Sequence, residues 1–582
     1  MRSSTGLTSR SPSSVTTRIA GLVAVAALVF AACSGSTATN KPSSAAPSSA
    51  ATAAATAAPS AAPSTGGGPT GDRAQTFIIG TPLLSEGRWD PAVGFEDIYR
   101  IVLKSTYDTL ITYKGNDVSK FVASAATEWT TAPDAKSFTF KLNPAAVFNS
   151  GNPLTSADVK FSYQRLHNLQ GPPSSLADNI DSIETPDPQT VVIKLKNADV
   201  TFLTQLTQVN FSILDSKVAM ANGATDAADA KDKDTASPYL ENHTLGSGPY
   251  QMKEWVVGEK LVLEQNPKSW RPAPYFKAVI FQNVDGAEAQ IAAVKRGDID
   301  ITRELSPKMI APLKSDKTLQ LVGSPGFIWY LFGMTRKAGV DPIVSNPKVQ
   351  EAIHLTLDYA GLKALAPELQ QWYGMNPPYV PGGVQESEAP KQDLAKAKAL
   401  LAEAGYPNGF KTEICTSSAT GTQPSMLDFA QKIQADLKLV GIDATIDAQE
   451  NTAFLTKYRA GKKGPTEGCH LVQTITGPPI PDPAQIADFL PDGFYALRLG
   501  WNKDNLGPDG AEYVALRDQA LKEVDAAKRA AIWHQIALKM NVNGPWISQS
   551  TTQFQSAATV TVTGFEGSND IFLFDPYSLK RT

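Results

Sequence analysis

Residues Lys411–Ile446 read KTEICTSSATGTQPSMLDFAQKIQADLKLVGIDATI, and this stretch decides the fold class. Lys411–Cys415 is a short run with apolar and polar residues in strand-like mixture. From Met426 to Val440, Leu427, Ala430, Ile433 and Leu437 recur at helical spacing and predict one apolar helix stripe. Gly441 stops that helix, and Ile442–Ile446 reads as a second strand. Two strands joined through a helix pack side by side only if they run parallel, which predicts an α/β sheet.

The same grammar extends outward. Leu394, Ala397, Leu400 and Leu401 share a helix face, and Gly405 is placed for a left-handed cap. Phe327–Phe332 reads as a buried strand, and a helix is expected from about Ala511 to Met540. In the first half, Gln75–Gly80 opens as a strand, and a helix follows through Ile98, Ile101, Val102 and Tyr107. Phe138, Phe140 and Leu142 alternate with polar residues after the turn at Pro133-Asp134, so a hairpin with Trp129 on its other arm is expected. In GNPLTSADVKFSYQRL (Gly151–Leu166), Thr155 with Asp158 is a helix-start pair, and Val159, Ser162, Tyr163 and Leu166 follow on one face. Val191–Leu195 reads as a strand and Asp226–Asp234 as a solvated loop. GSGPY (Gly246–Tyr250) is a tight turn before the hairpin EWVVGEKLVLEQN. Ala287–Val294 is a helix ended by Gly297 before a strand at Ile299–Thr302.

The chain opens with Arg2, Arg10 and Arg18, then a 14-residue apolar run, Ile19–Ala32. That run fits a signal-peptide core and falls short of a membrane-spanning helix. FAACSGS resembles a bacterial lipobox, which implies cleavage after residue 32 and lipid on Cys33. Ser34–Asp72 has no aromatic residue and no Val, Ile or Leu, so it cannot bury enough apolar surface to order itself and reads as a tether. The remaining body of about 510 residues exceeds what one hydrophobic core supports, so two or three lobes are expected. A net charge of −4, spread along the chain, argues against a nucleic-acid partner. Beyond Cys33 only Cys415 and Cys469 remain, an even pair that an oxidising compartment allows to bridge; two separate thiols are the alternative.

Enzyme chemistry finds no foothold. There is no G-x-S-x-G elbow and no H-E-x-x-H pair, and the five histidines have no metal-ligand spacing, so no cofactor or metal is expected. Lys462 follows Gly461, but Thr456 breaks the phosphate-loop pattern. Cys469 and His470 are strand neighbours and point to opposite faces. Asp298 and Asp300 read as the end of a strand after a glycine turn.

Several stretches together resemble the peptide/nickel/opine class of solute-binding proteins that serve ATP-driven importers. They are the Trp129 hairpin, GNPLTSADVKFSYQRL, GSGPY with NPKSW (Asn266–Trp270), KRGDIDI (Lys295–Ile301), NPKVQEAI (Asn346–Ile353) and DLAKAKALLAEAGYPNGF (Asp393–Phe410). The resemblance implies a two-lobed periplasmic-binding-protein fold of type II character with an extra subdomain. Lobe I takes 73–112, 240–325 and 549–582, the subdomain 113–239, and lobe II 326–548. The cleft lies between the lobes and the hinge near residues 325 and 549. Phe95, Glu96, Trp329, Trp372, Thr476, Gly477, Pro479 and Trp501 are then the expected ligand-binding residues. Peptide binders of this class place an aspartate before a terminal Asp-Pro to hold the ligand's ammonium. Here Asp482-Pro483 is present, and Pro479 stands at the matching upstream position. A weakly charged solute, oligosaccharide or capped peptide, is therefore expected. The expected protein is monomeric, anchored outside the cytoplasm through Cys33, and partnered with the permease subunits of an importer. The competing readings are an exported hydrolase on a lipid tether and a sensor or adhesion module on the same fold.

Overall fold

The computed structural model describes residues 72–82, 87–94, 97–115, 117–303, 305–367, 369–419, 425–464, 466–476, 482–565 and 574–582. All lie in one compact unit, Pro69–Thr582. Strands Lys411–Ser417 and Asp443–Gln449 run parallel, with Lys411 opposite Asp443. Helix Met426–Lys438 joins them. It starts where it does because Ser425 and Asp428 cap each other: the Asp428 N–H donates to Ser425 Oγ and the Ser425 N–H to the Asp428 carboxylate. Its buried face carries Met426, Phe429, Ala430, Ile433 and Leu437, with Leu427 only half-buried. The helix has turned to bury the larger Phe429, which packs on Tyr330 at 4.9 Å.

These strands belong to the main sheet. Its order is Asp443–Gln449, Lys411–Ser417, Leu471–Thr476, Leu319–Met334, Trp546–Thr559, Ile301–Thr302, Thr76–Thr81, Ala278–Asn283, Lys260–Gln265 and Tyr250–Val256. The two long strands at its centre, of 16 and 14 residues, run antiparallel through both lobes. Leu319 pairs with Thr559 in lobe I and Gly333 with Trp546 in lobe II, and the register shifts between Pro325 and Trp329. A register irregularity bends the ladder locally, and here it falls where the strands leave one lobe for the other.

Each lobe has its own core. In lobe I it includes Phe77, Ile79, Val102, Leu261, Val279 and Phe281. Lobe II packs both sheet faces, with Tyr330, Phe332 and Ile433 on one and Trp329, Leu331 and Trp546 on the other. A separate four-stranded antiparallel sheet carries the hairpin, with Trp129 opposite Phe140. Helix Ser156–Asn168, capped reciprocally by Thr155 and Asp158, lays Val159, Tyr163 and Leu166 on it. The linking residues interleave: Leu110 and Ile111 join this subdomain's core, whereas Val209, Leu214, Ala219 and Leu240 join that of lobe I.

GSGPY packs with Gly246 and Gly248 against the backbone of Ser105–Tyr107, leaving no room for a β-carbon. Gly297 and Gly405 take the left-handed conformation after their helices, with φ 80° and 93°.

Three expectations are corrected. Asp226–Asp234 is not simply solvated: it contains a short helix, Ala230–Lys233, and Asp234 is buried against Arg165. The long helix expected from Ala511 is two, Gly507–Ala520 and Ala526–Asn543, because Asp525 starts a new helix by accepting from the Lys528 N–H at 2.9 Å. Asp300 is more than a strand end. It is buried, takes the Ile78 N–H at 2.8 Å, and pairs with Arg73 and Arg581.

Candidate ligand-binding site

Where the long strands enter lobe II, one ladder row reads Thr476, Trp329, Thr551, Gln370 across four strands. Aromatic rings gather on Trp329. Trp372 meets it edge-on at 4.2 Å, and Phe489 stacks on it at 5.6 Å. Tyr495 stacks on Phe489 at 4.7 Å, and Tyr379 meets Trp372 edge-on at 6.3 Å. Burial pushes the Tyr495 phenol above its ordinary value, and a hydrogen bond with Thr476 works against that rise. Of the expected site residues, Trp329, Trp372 and Thr476 are therefore brought together in one wall.

Both indoles are buried, yet neither Trp329 Nε1 nor Trp372 Nε1 has a hydrogen-bond partner among the described residues. Gln370 Oε1, in the same ladder row, also has none. Indole N–H is a donor only. Leaving such a donor unpaired costs about 1–3 kcal/mol. These two unpaired donors are enclosed within the aromatic cluster, and the buried indoles of Trp533 and Trp546 in the same core are unpaired among the described residues as well.

Trp501 shares the buried cluster of Trp329 and Trp372 and differs from them in its polar partner. It lies in the core of lobe II under Arg336, 4.9 Å from the guanidinium carbon, with Tyr513 edge-on at 5.2 Å. Its N–H donates to the Leu506 carbonyl at 2.9 Å, so its polar edge is already used. Cys33, Phe95, Glu96, Gly477 and Pro479 lie outside the described residues. Asp482, which follows the segment holding Gly477 and Pro479, is buried and clasped by Arg529 through contacts of 3.0–3.1 Å. Its charge is already matched, which leaves it a poor partner for a ligand ammonium.

Cys415 and Cys469 are bridged, with Cα atoms 5.8 Å apart, and tie strand Lys411–Ser417 to the start of strand Leu471–Thr476. Cys415 also sits with Glu413 and Asp447 in a group with metal-like spacing. Lys457 reaches both carboxylates, at 2.6 and 2.8 Å, and the bridged sulfur is no thiolate ligand. An ion pair explains that cluster without a metal.

Sequence reasoning missed Phe489 and Tyr495. Their only signal was the aromatic density of FLPDGFYAL (Phe489–Leu497) just after Asp482-Pro483.

Known proteins match this architecture. The profile of bacterial extracellular solute-binding proteins, family 5 (middle region), matches residues 120–483. The probable D,D-dipeptide-binding periplasmic protein DdpA of Escherichia coli is 30 % identical over 278 residues, 47 % of this chain and 51 % of that protein. The chain thus spans about half the length of that relative. Heme-binding protein A of Haemophilus influenzae is 24 % identical over 81 % of this chain and 86 % of its own. The structure of HbpA2 from Haemophilus parasuis superimposes with a TM-score of 0.74 at 23 % identity, covering 87 % of this chain and all (100 %) of that one. Among the described residues no helix is long and apolar enough to cross a membrane. A profile match over more than half of the chain settles the kinship, and the two-lobed fold agrees with it: the chain belongs to the bacterial extracellular solute-binding proteins, family 5.

Proposed function

We propose that this chain is a lipid-anchored, monomeric receptor that traps an acceptor-rich, weakly charged solute between its lobes and presents it to an ATP-driven importer. The observation that carries the ligand class is the aromatic wall of Trp329, Trp372 and Phe489 together with the unpartnered indole N–H groups of Trp329 and Trp372, a state that Trp533 and Trp546 of the same core share. A solute carbonyl or ether oxygen placed there satisfies buried donors that are otherwise costly. Arg529 matches the charge of Asp482 and takes that carboxylate out of service. A buried ammonium without a carboxylate costs several kcal/mol. Relatives named for dipeptides and heme favour a peptide-like solute; a capped or modified peptide reconciles those names with this wall, and an oligosaccharide is the other acceptor-rich class.

The mechanism is a population shift. A solute touching both lobes binds the closed form better than the open one, and the closed population rises by that difference. The two crossing strands, irregular between Pro325 and Trp329, are where rotation is absorbed. No bond is made or broken.

Calorimetric titration tests the ligand class. Micromolar binding of an oligosaccharide or an N-acetylated tripeptide is expected. Micromolar binding of free di- and tripeptides, with no binding of the other two, overturns it. For the anchor, Cys33→Ser is expected to release the protein from the membrane fraction; retention there overturns it.

A further inference from the structure

Lobe II is joined to the rest of the body covalently only through the two crossing strands, so any other bond between it and the subdomain spans the cleft. Two such bonds stand side by side. The Val200 N–H donates to the Leu521 carbonyl at 3.0 Å. The Thr204 hydroxyl donates to Asp482 Oδ2 at 3.0 Å. Val200 and Thr204 are on the subdomain side, where Phe202 and Leu206 join the core of the hairpin sheet. Leu521 and Asp482 are on lobe II.

The pieces are held on both sides. Arg529, on helix Ala526–Asn543, fixes the Asp482 carboxylate with two nitrogens. The same carboxylate accepts the Ala484 N–H at 2.8 Å. Across the cleft, Thr204 accepts from the Tyr113 hydroxyl at 3.2 Å, which turns its own proton toward Asp482. Asp199 caps this turn through the Thr201 N–H and hydroxyl, at 2.8 and 2.6 Å. Thr204 is 1 % exposed and Asp482 3 %. On closing, the Thr204 hydroxyl proton exchanges water for Asp482, and the carboxylate adds that bond to those it holds from Arg529 and the Ala484 N–H. That makes the contact selective for the closed form.

We infer that Asp482 is a closure latch: a positioning residue that Arg529 presents and Thr204 engages, stabilising the closed receptor without touching the solute. The inference rests on the receptor reading, in that a latch has meaning only if the lobes open and close. It also gives Asp482-Pro483 a role that does not involve a ligand ammonium.

The test is amide hydrogen exchange of the full-length, solute-free protein, read at Val200 and, as an internal control, at Val472 deep in the lobe II sheet. Thr204→Val keeps the shape and removes the donor. A hydrogen bond to a charged group shifts such an equilibrium by roughly ten- to a hundredfold. Val200 exchange is therefore expected to rise about tenfold or more, with Val472 unchanged, and Thr204→Ser is expected to restore the wild-type rate. Tyr113→Phe, which removes the supporting hydroxyl, is expected to fall between them. Equal exchange at Val200 in wild type and Thr204→Val overturns the latch. So does a parallel rise at Val472, which would make Thr204 a general stabiliser. The titrations above test the receptor reading separately, so the two failures are distinguishable.

Discussion

Two buried polar regions in this molecule are built on opposite plans. At the junction of lobe I and the subdomain, Arg165 is 1 % exposed and gives two nitrogens to each of Asp90 and Asp234, at 2.7–3.1 Å. The carboxylates fill their remaining lone pairs with the N–H groups of Ala92, Thr225 and Ala236. Burial alone would push the Asp234 carboxyl up; the hydrogen bond and charge of Arg165 overcome it and hold the group below its ordinary value. At the lobe II wall, by contrast, Trp329 and Trp372 keep donors with no partner among the described residues. The first plan locks two bodies into one. The second keeps unspent hydrogen-bonding capacity where a solute is expected. A binding protein needs both: a rigid half, and a surface whose satisfaction depends on something else arriving.

The largest expected effect breaks the locked region. Arg165→Met leaves Asp90 and Asp234 buried without a cation, which costs about 3–5 kcal/mol. Urea unfolding is expected to show that loss, and the triple variant Asp90→Asn, Arg165→Met, Asp234→Asn is expected to recover most of it. A loss under about 1 kcal/mol for the single variant would mean the junction is not what joins the bodies.

A second effect, of similar or smaller size, lies in lobe II away from the wall. His354 is 3 % exposed; its Nε2–H donates to the Gly544 carbonyl at 2.8 Å and its Nδ1 has no partner among the described residues. Burial, with Arg336 nearby, lowers its pKa from 6.5 to about 4 against the opposing pull of Gly544. Between those values the unfolded chain binds the proton that the folded chain refuses. Stability is therefore full above pH 6.5 and falls as the pH drops toward 4, by roughly 2–3 kcal/mol. His354→Gln is expected to flatten that slope in thermal melts; an unchanged slope would place the acid sensitivity elsewhere.

Much of the fold was legible because its signals are local. The reciprocal caps Thr155/Asp158 and Ser425/Asp428, the glycine stops at 297 and 405, and the two strands around helix Met426–Lys438 all follow from residues within a few positions of one another. The partners of Arg165 were not legible: Asp234 is 69 residues away, in a stretch whose composition reads as loop. The candidate site divides the same way. Trp329 and Trp501 look equivalent in sequence, and which one keeps a free N–H depends on long-range packing that no local pattern encodes. Asp482-Pro483 was noticed, but not the arginine 47 residues on that claims it.

That pair of tryptophans gives the smallest and sharpest test. Replacing an indole with benzothienylalanine keeps the ring's size and removes only its N–H. At Trp329 or Trp372 the lost donor had no partner, so stability is expected to rise, by about 1 kcal/mol. Solute affinity at the same sites is expected to fall about five- to tenfold, because the donor is used only in the complex. At Trp501 the signs reverse. The Leu506 carbonyl loses its partner and stability falls by about 1 kcal/mol, while affinity stays put. If all three positions behave alike, the distinction between satisfied and unsatisfied indoles within this core fails. If only Trp329 weakens binding, the wall narrows to the crossing strand itself, and Trp372 is support for its neighbour.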